Sequence, residues 1–300
     1  EISECLVGSE MCIRDRFNAA MRTIHMDEII SNIREMCIEA NLTLSPDMQQ
    51  VIKQAQERED SPLGKQILGQ LCENMEIAKE DRIPICQDTG MAIVFVKLGQ
   101  DVHIEGMNLT DAINEGVRQG YTDGYLRKSV VKDPLLRENT KDNTPAIIHY
   151  DIVPGDKLEL LIAPKGFGSE NMSRIFMLKP ADGVEGIKAS VLQAVRDAGP
   201  NACPPMVIGV GLGGDFEKSA ILAKTALTRD INQGSPLPHI KKLEEELLEE
   251  INQTGIGPGG LGGKTTALAI NIETYPTHIA GMPLAVNICC HVNRHAKRIL

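Results

Sequence analysis

Cys86, Gln87, Asp88 and Thr89 stand side by side, directly ahead of the apolar run MAIVFVKL at residues 91–98. A thiol, an amide, a carboxylic acid and a hydroxyl therefore share one tight loop at the mouth of a predicted buried strand. Pro84 stiffens the approach and Gly90 frees the exit. Loops held by rigid elements are where reactive side chains usually sit. The same residues also read as a structural cysteine followed by a turn in which Asp88 caps its own backbone. The rest of the chain has to decide between these readings.

Ahead of this loop the chain is helical in pattern. Over residues 27–41, Ile29, Ile30, Ile33, Met36, Cys37 and Ala40 recur at helical spacing. A second helix is predicted over 46–59, with Pro46 at its start and Ser45 as cap. A third, over 62–79, carries Leu63, Ile67, Leu71 and Met75. Cys37 and Cys72 read as packing residues of these helices. Residues 1–20 match no nameable period and read as a non-native leader, which leaves Cys5 and Cys12 without a role.

Beyond the loop, helices alternate with strand-like runs. A helix is predicted over 110–120, capped by Thr110. Strands are predicted at 146–153, at 157–163 with clean alternation, and at 174–178. The loop at 164–173, PKGFGSENMS, could present backbone N–H groups to an anion, or equally make an ordinary wide turn. A helix over 183–198, with Val184, Ile187, Val191, Leu192 and Val195 inward, stops at Gly199-Pro200. Cys203 follows, ahead of the buried strand MVIGVGLGG. Two more helices are expected at 215–228 and 239–253.

The stretch GPGGLGGKTT at 257–266 invites a phosphate-loop reading. Pro258 stands where the first glycine belongs, and the order is helix, loop, strand, the reverse of a true phosphate loop. Nucleotide binding is rejected here. The glycines instead suggest a close approach of backbone to something bound. The last strand, at 283–288, runs into Cys289-Cys290-His291. Alternation predicts that the two cysteines face opposite sides. Arg294, His295, Lys297 and Arg298 read as a basic tail.

The chain has 300 residues and a formal net charge of −10. That balance argues against a nucleic-acid footprint, which needs clustered Lys and Arg. No run of about 18 apolar residues predicts a membrane span, and no signal-peptide pattern is present. The eight cysteines lack the spacing of a secreted disulfide scaffold. They are expected to be reduced thiols in a cytoplasmic protein.

Cys86, Cys203 and one of Cys289 and Cys290 all stand at loop–strand junctions. None forms a CxxC pair, so zinc fingers and thioredoxin-like dithiols are not supported. Three distant thiolates are compatible with a cubane iron–sulfur cluster, one iron of which lacks a protein ligand. Simple burial of free cysteines explains the same spacing.

Four long stretches decide the matter by resemblance. IPICQDTGMAIVFVKLGQDVHIEG, HYDIVPGDKLELLIAPKGFGSENMSRIFMLKPADGVEGI, GPNACPPMVIGVGLGGDFEKSAILAKTAL and GPGGLGGKTTALAINIETYPTHIAGMPLAVNICCH resemble the alpha subunit of class I, iron–sulfur-dependent fumarate hydratase. They are also similar to the alpha subunit of L(+)-tartrate dehydratase. The resemblance covers the chain from about residue 27 onward. It implies an α/β fold, with a helical N-terminal part followed by mixed β-sheets flanked by helices. A single catalytic domain over residues 21–300 is expected.

The resemblance further implies a [4Fe–4S] cluster on Cys86, Cys203 and Cys290, with Cys289 on the packed side of the strand. Gln87, Asp88, Arg127, Gly168 and Asn171 match substrate-binding positions. Arg127 otherwise reads, with Lys128, as a solvated pair. Asp88 and His278 match catalytic positions. The implied reaction is the reversible hydration of fumarate to L-malate, a step of the tricarboxylic acid cycle. L(+)-tartrate dehydration is the second reading, and a non-catalytic iron–sulfur sensor a third. The chain stops at Leu300, soon after Cys290, so it resembles the alpha half of a heteromer whose beta subunit completes the site.

Overall fold

The computed structural model describes residues 21–300. The leader expected at residues 1–20, with Cys5 and Cys12, lies outside them. In chain order the strands are β1 (Arg22–His25), β2 (Met91–Gly99), β3 (Val102–Glu105), β4 (Ile147–Val153), β5 (Leu158–Lys165), β6 (Arg174–Leu178), β7 (Met206–Gly213), β8 (Ala267–Tyr275), β9 (Met282–Cys289) and β10 (Ala296–Ile299). The helices are α1 (Met26–Leu42), α2 (Pro46–Arg58), α3 (Pro62–Glu80), α4 (Leu109–Asp123), α5 (Phe167–Glu170), α6 (Gly183–Ala198), α7 (Phe216–Ala226) and α8 (Pro238–Asn252). This is the α/β architecture expected, helical at the start and mixed-sheet thereafter. Among the described residues no helix is long and apolar enough to cross a membrane.

Two compact units emerge. The first comprises residues 21–38, Ala92–Ile162 and Ala296–Leu300. Its four-stranded sheet runs β10-β5-β2-β4, and β1 pairs with β3 in a small parallel sheet. α4 packs closely on α1: a Cβ on Gly116 would lie 2.6 Å from Ile33 Cβ. Its cap is Asn108, whose side chain accepts from Asp111 N–H at 2.9 Å, rather than the expected Thr110.

The second unit comprises Glu39–Met91 and Ala163–His295. Its sheet runs β6-β9-β7-β8. β7 pairs parallel to β8 and antiparallel to β9. β7, β8 and β9 are nearly continuous in burial, because both faces are covered. One face meets α6 and α8 through Ile187, Val191, Ile240, Leu247 and Ile251. On the other, Val207, Leu268 and Cys289 join Met48, Ile52, Leu68 and Met75 of α2 and α3. Each such large side chain contributes about 1.5–3 kcal/mol by leaving water.

Three helix readings are corrected. Ser45 stands at the N-cap of α2 but makes no capping bond through its side chain. The fully buried positions of α3 are Gly64, Leu68, Met75 and Ala78; Met75 stands as expected and Leu71 packs half-buried against the same core, whereas Leu63 is exposed. Val184 of α6 is likewise exposed.

Candidate active site

The register of the second sheet brings two of the three cysteines together. Val207 lies opposite Cys289 across the antiparallel β7–β9 pair. Cys203 precedes β7 by three residues, and Cys290 follows β9 directly. Both therefore emerge at the same end of the sheet. His291 Nδ1 lies 3.1 Å from the Cys203 carbonyl and ties the two loops. Cys203 adopts a left-handed backbone, φ 51°, a conformation that costs a non-glycine residue energy and recurs at functional sites.

Cys86 arrives from the helical side. The Ile85 N–H donates to the Asn41 carbonyl at 2.9 Å, and Asn74 Nδ2 donates to the Ile85 carbonyl at 2.8 Å. Ile85 is buried in the cluster that holds Val207 and Cys289, and Cys86 and Cys290 pack against that cluster. Desolvation, followed by the neighbouring Cys290 and Cys86 thiols, pushes the Cys203 thiol up. Cys203 thus lies within electrostatic reach of both Cys86 and Cys290.

β9 ends at Cys289, and Cys290 stands just beyond it. The neighbouring Cys290 thiol draws Cys289 down to about 6 against the cost of burial, with Lys165 and Arg294 adding positive charge. Cys289 is buried in the core and Cys290 is half-buried, which leaves Cys290 as the one open to the site.

Asp88 organises the loop beyond Cys86. Its Oδ2 accepts from the Phe167 N–H at 2.9 Å, and its Oδ1 from the Gly90 N–H at 3.1 Å. The loop at 164–173 therefore closes on the protein's own carboxylate, not on an external anion. Gly90, at φ 79°, makes the approach possible: a Cβ there would lie 2.7 Å from the Lys165 backbone. Gln87 is exposed beside Cys86, and its Oε1 accepts from the thiol at 3.5 Å. Gly168, in α5, and Asn171, at its C-terminal end, are exposed.

Behind this loop lies a buried polar network that the sequence did not signal. Lys165, 5% exposed, donates to Ser169 Oγ at 2.9 Å and pairs with Glu170 at 3.3 Å. Glu170 also pairs with Lys224 and accepts from Asn287 Nδ2 at 2.8 Å. Burial opposes charge on Glu170, but Lys165 and Lys224 together hold its carboxyl below the usual range. The Arg294 side chain is buried as well, although the sequence placed it in a basic tail.

His278 stands at the N-terminal end of β9. It follows β8 in the turn before β9, with Nδ1 accepting from Ala280 N–H at 3.1 Å. Cys290 lies beyond the other end of β9, and the seven steps of that strand span about 23 Å at the usual rise per residue. Within one chain His278 is not part of the cysteine-lined site. It borders an open cleft with Asp215, Lys218 and Tyr275. Arg127 is exposed in the other unit, shortly after α4.

The donor set fits an iron–sulfur group. Cys203, whose ionisation Cys86 and Cys290 oppose, needs a positive, sulfur-loving centre to hold it as a thiolate. Among the described residues no three His, Cys, Asp or Glu side chains converge as a shell for a single metal ion. A cluster takes one thiolate on each of several irons, so its ligands stand further apart than such a shell.

Comparison with known proteins is decisive for the family. The family described as Fumarate hydratase (Fumerase) matches residues 30–299. The chain belongs to this fumarate hydratase family. Among its relatives, a putative L(+)-tartrate dehydratase subunit alpha of Methanocaldococcus jannaschii is 43% identical over 272 residues, covering 88% of this chain and 95% of the relative. The L(+)-tartrate dehydratase subunit alpha of Escherichia coli strain UTI89 is 31% identical over 273 residues, covering 90% and 88%. The sequence of this fumarate hydratase family member thus aligns with those relatives over nearly all of its length.

Proposed function

We propose that the chain is the alpha subunit of an iron–sulfur hydro-lyase that adds water to fumarate to give L-malate, and reverses that reaction. The observation that supports this reading is the convergence of Cys203 and Cys290 at one end of the β7–β9 pair, with Cys86 within electrostatic reach. Cys86, Cys203 and Cys290 would hold a [4Fe–4S] cluster. Such a group, held by three cysteines, supplies an iron without a protein ligand that acts as a Lewis acid toward substrate oxygen atoms.

The chain's own residues provide the rest. Gln87 and the exposed turn of Gly168 and Asn171 offer polar groups for a small dicarboxylate. Lys165 and Arg294 bring buried positive charge to the cysteine-bearing end of the sheet, which favours thiolates there. Asp88 is the candidate acid. Its Oδ2 accepts from the Phe167 N–H, which ties the carboxyl to the 164–173 loop. No role is given to His278 at these cysteines.

L(+)-tartrate is the second substrate reading, favoured by the names of the two relatives. Those names also support a beta subunit as partner. Anaerobic reconstitution of the chain with such a partner, followed by a panel of fumarate, L-malate and L(+)-tartrate, tests both. Turnover of fumarate is the expected result. Turnover of tartrate alone would establish the second reading. A preparation that takes up no iron and sulfide, with every thiol titrating as free, would overturn both.

A further inference from the structure

We propose that Arg294 is the positioning residue of this site, locking the loop that carries Cys86 to the loop that carries Phe167 and Asn171. The inference deepens the hydro-lyase reading, on which its functional meaning rests. Arg294 is 4% exposed and stands four residues after Cys290. Its Nε donates to the Pro164 carbonyl at 3.1 Å, and its Nη2 donates to the Asp88 carbonyl. Asp88 in turn reaches back through its carboxylate to the Phe167 N–H, at 2.9 Å. The guanidinium, Asp88 and residues 164–167 thus close a ring of hydrogen bonds.

The ring has a consequence for both loops. One edge of a rigid, planar group fixes two carbonyls, one on each loop. The Asp88 carboxylate then has one place to go, and the Phe167 amide is held with it. A lysine has a compact ammonium without the fixed fork, so it keeps the charge and loses the geometry.

A second observation marks the residue as more than a structural clip. Arg294 Nη1 is buried and has no hydrogen-bond partner among the described residues. A buried N–H without an acceptor is costly, and a group kept in that state calls for an explanation beyond stability. The unused nitrogen is therefore a cationic donor held ready at the cysteine-bearing end of the sheet.

The test compares the full metal-free chain with Arg294→Lys and Arg294→Gln by backbone hydrogen exchange. The Phe167 and Gly90 amides should exchange roughly ten times faster or more in both variants, the loss of hydrogen bonds to a charged group. Amides of β7 should keep their protection. Unchanged exchange at Phe167 and Gly90, or uniform acceleration throughout the unit, would overturn the proposal. Should Arg294→Gln fail to fold, Arg294→Lys carries the same reading, because it retains the charge.

In the reconstituted enzyme, Arg294→Lys should raise KM for the dicarboxylate about tenfold or more while kcat changes less and the cluster spectrum persists. Unchanged KM and kcat would overturn the positioning role. If the wild-type assembly turns over no dicarboxylate, the hydro-lyase reading fails, and the exchange experiment still decides what Arg294 does to the loops.

Discussion

Glu59 accepts two hydrogen bonds from the backbone N–H of Lys264, at 2.9 Å to Oε1 and 3.1 Å to Oε2. The Thr265 N–H adds a third at 3.0 Å, and the Asp60 and Ser61 N–H groups reach Oε1 at 3.1 Å. The glycine-rich stretch before Lys264 thus closes on an internal carboxylate, which takes the place of an external anion. Gly263, at φ 132°, allows the approach: a Cβ there would lie 2.8 Å from Glu59 Oε1. Glu59→Gln should lower unfolding stability by about 1–3 kcal/mol, because donors around a buried group lose a charged acceptor. A denaturant midpoint equal to that of wild type would show that the carboxylate is dispensable.

Acid should weaken the fold through depressed carboxyls. Burial tends to raise Glu59, but the backbone donors of Lys264, Ser61 and Thr265 outweigh it, and the group sits below its ordinary value. Burial also opposes ionisation of Asp142, yet Thr144 and Arg118 bring it to about 2. A group whose folded value is depressed gives stability that is full above its unfolded value and is lost as pH falls through the folded one. For Asp142 the loss runs from its ordinary 3.8 down to about 2. Urea midpoints measured across that range should fall with pH, and Asp142→Asn should flatten the slope. A slope identical in wild type and variant would count against the assignment.

The cysteines should separate by role. Cys86→Ser, Cys203→Ser and Cys290→Ser should each remove the visible absorbance of the anaerobically reconstituted chain, whereas Cys289→Ser should keep it. Loss with Cys289→Ser and retention with Cys290→Ser would reverse their assignment. In the metal-free chain, alkylation should label exposed Cys203 early. Cys37 should resist until unfolding, since it is fully buried and burial pushes its thiol up.

Gly211 lets α7 lie directly against β7. A Cβ at this position would stand 1.9 Å from the Ser219 carbonyl oxygen, which is backbone and cannot swing away. Gly211→Ala should therefore cost about 3 kcal/mol or more, as overpacking against a fixed neighbour does. Thermal unfolding measures it. A shift of less than a degree would mean that α7 slides to make room.

Much of this fold is written locally. The predicted strand at 174–178 and helix at 183–198 match β6 and α6 residue for residue. The cysteine-bearing junctions before β2, before β7 and after β9 are likewise legible, because Pro, Gly and a change of period mark them. Local propensity could not show that Arg294, in a run of basic residues, turns inward. Its partners, Asp88 and Pro164, lie 206 and 130 positions away in sequence.

The same limit explains the other departures. The sequence alone determined the long helices, the longer strands and the three thiols at loop–strand junctions, since backbone period and turn chemistry depend on neighbours a few residues apart; it missed the short β1, β3, β10 and α5. Tertiary structure alone decided which loops share an end of the sheet. The antiparallel β7–β9 register puts Cys290 beside Cys203, and the same register carries His278 to the opposite end. It also decided that two glycine-rich loops would close on Asp88 and Glu59, because a carboxylate distant in sequence meets a backbone amide only after the chain has packed.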